Sequence, residues 1–340
     1  MDVNNKSEYV IFWSNWDLYR QSFSDIIPLD NVQYIDCPLI KLCGFNRRLY
    51  DFILYEHSGL IKKFLHKIAK SIFKEDYWMS FYFGKRRKKK DEYVFIFSGA
   101  WLIFNYDFFS WLKRNYPNAQ YVLFLCDLFN TVTNSEEQLN LDTIKQDFNL
   151  ILSFDQNECK KYGFIYHPLV FSSYRGEIKD MPMYDIYFLG QPKNRYKEII
   201  SCLEKFWEYG LKTDICLVGV KPEEQVYKDK IQYSDRFLPY EENLQRTIHA
   251  KCELEIMQKG GTGYTQRMCE VIALDKKIVT NNPLIHEAPF YNSNYIFQIR
   301  GAEDITEELC ERIKSEVVVD YHYKDKLSPI ELLNFIDAHL

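Results

Sequence analysis

Short, unbroken apolar runs separated by amphipathic stretches set the rhythm of this chain. Tyr9-Val10-Ile11-Phe12-Trp13 ends on Ser14-Asn15 and predicts a strand closing in a turn. Tyr93 to Phe97, Tyr121 to Leu125 and Leu150 to Phe154 are equally continuous. Such runs suit a parallel sheet covered on both faces, where both rows of side chains are buried. Asp51 to Phe73 carries apolar residues at helical spacing, which predicts a long amphipathic helix or a helix pair. Leu102 to Asn115 fits a crossover helix between two of the strands.

Near residue 170 the pattern resets. Phe171 to Met183 is polar, with Ser172, Ser173, Gly176 and Pro182, and reads as a linker. A second series follows: strands over Asp185–Gly190, Thr213–Gly219, Glu253–Met257 and Lys277–Thr280, with helices over Tyr196–Tyr209 and Thr265–Leu274. Asp304–Val317 and Ser328–Leu340 predict closing helices. Two βαβ series in tandem predict an α/β protein of two Rossmann-like, doubly wound domains facing a cleft, since such sheets bind ligands at the carboxyl ends of their strands. The expected division is 1–170, a linker at 171–183, a second domain at 184–322, and a terminal helix at 323–340 packing back on the first domain.

A length of 340 residues accommodates two such domains. The net charge of −5 argues against nucleic acid as a partner. One stretch departs from it: Lys85, Arg86, Arg87, Lys88, Lys89 and Lys90 form six consecutive cations, suited to a solvated loop, an anionic membrane surface or a lipid-diphosphate acceptor. Aromatic residues reach 17%, more readily explained by core filling than by sugar stacking. Nine scattered cysteines without a C-x-x-C pair exclude an obvious zinc knuckle and fit reduced, buried thiols. No apolar run is long enough for a spanning helix and no signal peptide is visible, so the expected location is cytoplasmic, peripheral on the inner membrane face.

The segment richest in chemistry is Met257-Gln258-Lys259-Gly260-Gly261-Thr262-Gly263-Tyr264-Thr265-Gln266-Arg267-Met268-Cys269-Glu270. It leads from a strand through a glycine-dense loop into an amphipathic helix. Glycines allow close backbone approach, and the first amides of a helix are unpaired donors carrying partial positive charge, so the segment suits a diphosphate. Arg267 adds a cation with fork geometry, and Glu270, on the same helical face, could accept hydrogen bonds from a ribose diol. A mobile turn followed by a helix with an i,i+3 ion pair would use the same residues. The spacing matches neither the P-loop nor the dinucleotide-binding glycine pattern.

Gly263 to Glu270, followed by Ala273-Leu274-Asp275-Lys276-Lys277-Ile278-Val279-Thr280-Asn281-Asn282, resembles the nucleotide-sugar site of GT-B glycosyltransferases, especially those of lipopolysaccharide or capsular polysaccharide synthesis. Phe148–Asp155, Tyr166-His167-Pro168-Leu169 and Tyr184–Gly190 with Asn194-Arg195 are similar to the same group. The resemblance implies transfer of a sugar from a UDP- or GDP-linked donor to a glycan or lipid-linked acceptor, with no cofactor. It implies that Glu270 holds the donor ribose, that Gly260, Gly261, Thr262, Gly263, Thr265 and Arg267 line the diphosphate, and that Gly190 and Arg195 face the donor phosphates. Many retaining members carry a second glutamate where this chain has Thr262, so the stereochemical outcome stays open.

Two residues are candidates for activating the acceptor hydroxyl: Asp127, just past a predicted strand, and His57. Asp127 equally suits a turn or helix cap, and Asp155 suits a cap better still, because Glu158 stands at the capping-box offset. No Asp-x-Asp and no H-E-x-x-H occurs, so no metal site is expected. Two other functions fit the same architecture: a sugar-nucleotide epimerase, and a binding or assembly module without catalysis.

Overall fold

The computed structural model describes residues 7–14, 16–35, 48, 49, 52, 59–72, 93–104, 106–129, 140–258 and 261–340. His57, Lys85, Arg86, Arg87, Lys88, Lys89, Lys90 and Gly260 lie outside the described residues. The strands are β1 (Glu8–Phe12), β2 (Val32–Ile35), β3 (Tyr93–Ser98), β4 (Gln120–Leu125), β5 (Leu150–Ser153) and β6 (Ile165–Tyr166), then β7 (Tyr184–Gly190), β8 (Thr213–Val218), β9 (Gln232–Ser234), β10 (Ala250–Glu255), β11 (Lys277–Thr280) and β12 (Ile296–Gln298). They form two six-stranded sheets, ordered β2-β1-β3-β4-β5-β6 and β12-β11-β10-β7-β8-β9. Among the described pairings every one is parallel.

Contacts group the chain into two units. One comprises Met1–Tyr19, Ile26–Ser153 and Ile336–Leu340; the other comprises Arg20–Asp25 and Phe154–Phe335. Residues 154–170, assigned by the sequence pattern to the first domain, group by contacts with the second unit, while β6 within them is the last strand of the first sheet.

The first unit is an aromatic core. Continuous strands bury both rows of side chains, so Tyr9, Phe12, Phe95, Phe97 and Phe124 are all inaccessible. Register sets Phe12 beside Phe97, and their rings stack at 4.8 Å. Phe109 stacks on Phe148 at 4.8 Å and meets Phe97 edge-on at 5.3 Å. Much of the aromatic content thus fills core, where each ring removes a large apolar area from water. The crossover predicted over Leu102–Asn115 is two described helices, Gly99–Phe104 and Tyr106–Asn115.

In the second unit Ile186, Phe188, Leu254 and Val279 of the sheet pack with Ile199, Leu203 and Phe206 of the Tyr196–Glu208 helix and with Cys310 and Ile313 of the Glu307–Lys314 helix. Two lysines of the Lys276-Lys277 pair fasten this layer. Nζ of Lys277, itself buried, donates to the carbonyls of Arg312 at 2.7 Å and Ile313 at 3.0 Å, satisfying the open end of one helix. Lys276 does the same for Ile248, the last residue of the Tyr240–Ile248 helix, at 2.5 Å.

The predicted linker is firmly held at its start. Ser172 is fully buried; its amide and hydroxyl donate to the Ser22 carbonyl at 3.1 and 2.9 Å, and its oxygen accepts the Asp25 amide at 3.0 Å. Polar composition there reflects backbone-like bonding within the unit, a use of serine that looks like a loop in sequence. The described cysteines are free thiols, five of them buried. Burial raises the Cys202 thiol to about 12, far from a reactive thiolate.

Candidate functional site

Sheet order locates the site. From β7 the chain winds outward through β8 to β9, returns to pair β10 with β7, and then winds the other way through β11 to β12. β7 and β10 therefore flank the point where the winding reverses. Two crossover connections leave a parallel sheet on opposite faces there, opening a crevice at the strands' carboxyl ends.

Two arginines cross that crevice. Arg195, in the turn after β7, donates from Nη1 to the carbonyl of Ile256, just past β10, and from Nη2 to Gln191 at 2.8 Å. Arg267, in the first turn of the Gln266–Ala273 helix after β10, reaches back with Nη2 to the Leu189 carbonyl of β7. Its guanidinium lies 4.8 Å above the Phe188 ring. Gly190 fits between: a Cβ there would stand 3.3 Å from Phe188 and 3.8 Å from Nη2 of Arg267. Burial, and next the neighbouring charge of Arg267, depress the pKa of Arg195. A guanidinium has five N–H donors, and the described bonds engage three on Arg195 and two on Arg267, leaving donors for an anion.

Behind the arginines stands a buried acidic network. Glu253 and Glu255 project from the same face of β10, and both are inaccessible. Nε of Arg267 pairs with Glu253 at 3.1 Å, and Thr247 donates to the other Glu253 oxygen at 2.6 Å. Thr265 and Thr280 donate to the two oxygens of Glu255. Glu270 accepts from the Tyr240 hydroxyl at 2.7 Å and the Asn243 amide at 3.5 Å, and Tyr187 donates to Asn243 at 2.9 Å. Burial pushes the carboxyls of Glu253 and Glu270 above their ordinary range, opposed by the charge of Arg267. Glu270→Ala would strand the Tyr240 hydroxyl and is expected to cost about 1–3 kcal/mol of stability, read from the urea midpoint.

The glycine loop is used differently from the expectation that its amides hold a diphosphate. Asp155 caps the Gln156–Tyr162 helix by accepting the Glu158 amide at 3.0 Å, and its other oxygen accepts the amides of Thr262 at 3.1 Å and Gly263 at 2.8 Å plus the Thr262 hydroxyl at 2.9 Å. Asn282 holds the carbonyls of both residues at 3.5 and 3.4 Å, and Asn281 accepts the Met257 amide at 2.6 Å. Glycine is needed at 263 because a Cβ would approach the Phe154 ring to 2.7 Å. Gly261 lies in the same loop, with a Cβ position 3.6 Å from the Gln258 carbonyl. Thr265 caps the helix through the Met268 amide at 3.4 Å, which leaves the Gln266 and Arg267 amides of the first turn for a ligand.

Gly190, Arg195, Thr265 and Arg267 are thus brought together, Thr262 and Gly263 are held by Asp155, and Glu270 sits one helical turn further in. Asp127 belongs to the other unit, exposed in the turn after β4, beside half-buried Tyr19. His249 ends a helix, with Nδ1 2.8 Å from the Gln245 carbonyl, and His167 is buried against Phe335. Among the described residues no group of three or more His, Cys, Asp or Glu could hold a metal ion, and no helix is long and apolar enough to cross a membrane. A shallow cavity of about 700 Å³ lies at the opposite ends of β7 and β8, bounded by Trp207, Lys212, Asp214 and Lys230. It has neither the helix start nor the crossed arginines, so the switch point is the better ligand site.

No known protein family and no curated protein matches the chain. Solved structures do. A UDP-forming α,α-trehalose-phosphate synthase from Burkholderia xenovorans, in complex with glucose-6-phosphate, is 9% identical with a TM-score of 0.53, covering 98% of this chain and 100% of that one. The trehalose-6-phosphate synthase OtsA is 9% identical with a TM-score of 0.51 over 98% and 97% of the two chains. A trehalose-6-phosphate synthase studied with bisubstrate glycomimetics, as an enzyme of glycosyl transfer with retention, is 11% identical with a TM-score of 0.51 over 98% and 99%. The likeness is one of fold: two parallel sheets with flanking helices, as in these GT-B neighbours.

Proposed function

We propose that this GT-B chain is a glycosyltransferase that moves a sugar from a UDP- or GDP-linked donor to a surface-glycan acceptor of capsule or lipopolysaccharide type. The observation that carries this reading is the pair of arginines crossing the β7–β10 switch point beside a helix start. A nucleoside diphosphate is the leaving group that such a site favours. As the glycosidic C–O bond to the diphosphate breaks, charge gathers on its oxygens, and Arg195, Arg267 and the Gln266 and Arg267 amides stand ready to receive it. Donors fixed beforehand by backbone carbonyls and an ion pair need little reorganisation, typically the largest catalytic contribution. Glu270 is the proposed acceptor for the ribose hydroxyls, and Asp127 the proposed base taking the proton from the acceptor hydroxyl. His57 is its alternative for that proton.

A sugar phosphate is a second acceptor class, favoured by the fold neighbour that holds glucose-6-phosphate. Nucleotide release from UDP- and GDP-sugars, with a lipid-linked oligosaccharide, with glucose-6-phosphate and with no acceptor, tests the proposal. Acceptor-stimulated release supports transfer and identifies the class. Conversion of the donor without release would identify an epimerase, and no turnover with intact nucleotide binding a non-catalytic module.

No divalent metal is proposed in the reaction, because the arginines and amides supply the positive charge. Turnover is expected to survive EDTA unchanged. Loss on chelation with recovery on Mn²⁺ would refute this.

A further inference from the structure

The described residues include one amphipathic helix whose apolar face is left exposed. Leu60–Ile72 reads Leu-Ile-Lys-Lys-Phe-Leu-His-Lys-Ile-Ala-Lys-Ser-Ile and contains no acidic residue. At about 100° per residue, Leu60, Ile61, Phe64, Leu65, Ile68 and Ile72 fall on one arc, and Lys62, Lys63, His66 and Lys67 on the opposite one. The apolar arc is not covered: Leu60 is 88% accessible, Ile61 77%, Phe64 65% and Ile72 65%. The other exposed large apolar side chains are scattered singly or in adjacent pairs, whereas six gather on these thirteen residues. Single exposed apolar residues are ordinary, but a contiguous stripe marks a surface that something covers. The described aromatic contact of the helix is on its other side, where the His66 ring meets Phe52 at 6.0 Å.

We propose that Leu60–Ile72 is an in-plane anchor that lays its apolar stripe into an anionic lipid bilayer. The occupant follows from charge. Flanking the stripe are Lys62, Lys63 and Lys67, all exposed, in a chain of net charge −5. An apolar protein groove would satisfy the stripe but leave those cations unmatched. Anionic headgroups beside acyl chains satisfy both, each lysine strengthening binding severalfold at low salt. A helix of thirteen residues is about 20 Å long, too short to span the hydrocarbon core, so it lies in the interface plane. The anchor concerns the unit that does not contain the donor site and does not depend on the sugar-transfer reading.

Flotation of the full chain with phosphatidylcholine–phosphatidylglycerol vesicles, against phosphatidylcholine alone, tests it, alongside Ile61→Asp/Phe64→Asp and Lys62→Glu/Lys63→Glu/Lys67→Glu. These side chains are exposed, so the variants are expected to keep their thermal transition and wild-type nucleotide affinity, which separates this test from that of the donor site. Binding is expected only with the anionic lipid, and each variant should lower the partition coefficient at least about tenfold. The proposal is overturned by any of four results. These are no vesicle binding, equal binding to both lipids, variants that bind like wild type (as when neutralising Lys85 to Lys90 alone abolishes binding), or a lipid-free dimer that Phe64→Asp disperses.

Discussion

Replacing Arg267 with alanine is expected to lower nucleotide-sugar affinity roughly ten- to a hundredfold, the equivalent of about 1.5–3 kcal/mol for a charged hydrogen bond. The same substitution removes the partner of Glu253, whose side chain is 1% accessible. Above about pH 8, where the Glu253 carboxyl ionises, an unpaired charge at such a site costs about 3–5 kcal/mol, so there the variant should also unfold at markedly lower urea. The two losses separate by pH. Burial already raises the Glu253 carboxyl, and the Arg267 charge opposes the rise. Without Arg267 the folded-state pKa climbs further above the unfolded value. A group raised in this way stabilises fully below its unfolded pKa and loses that contribution as pH rises. The deficit against wild type should therefore be small near pH 6, where a carboxyl raised to about 8 is protonated in both proteins, and large near pH 9.5. Equal deficits at both would show that the ion pair is not what holds Glu253. Arg267→Lys keeps the charge but not the fork, and should recover stability better than affinity.

The second large effect is expected at Asp155, which is not among the proposed diphosphate contacts. Its carboxylate accepts four hydrogen bonds, one at the helix it caps and three from Thr262 and Gly263, and it is buried. Asp155→Ala leaves two loop amides and a helix amide without acceptors, a loss of about 3–5 kcal/mol after allowing for non-additivity. Asp155→Asn keeps one acceptor oxygen and should recover part of it. Donor affinity is expected to fall several-fold, since the loop sets where the Gln266–Ala273 helix begins. A urea midpoint for Asp155→Ala within error of wild type would mean that the clamp contributes nothing.

The contrast between these two residues shows what a linear chain reveals. Arg267 was legible because a glycine-rich loop before an amphipathic helix is a local pattern; Thr265, read there only as lining the diphosphate, turns out to cap that helix. Asp155 was legible only as the cap of its own helix. Its hold on Gly263 joins residues far apart in sequence, and nothing in a one-dimensional pattern signals that meeting. β3, β4, β7 and β11 follow their apolar runs closely because continuous burial leaves continuous hydrophobicity. β9 and β12 are three-residue edge strands with no period to read. The glutamates of β10 carried a signal that passed as ordinary strand alternation. Glu253 and Glu255 alternate with Leu254 and Ile256, as on a half-solvated strand, yet the polar row faces a buried network. The pairing of Arg195 with the Ile256 carbonyl needs β7 beside β10, which only the reversal of winding creates.

Hydrogen–deuterium exchange of the full chain with and without UDP and GDP tests whether the β7–β10 switch point binds the nucleotide. New protection is expected in the Gly190–Tyr196 turn and in Tyr264–Glu270, lost in Arg195→Ala and Arg267→Ala. Protection confined to other segments, such as the cavity around Trp207 and Lys230, would contradict it.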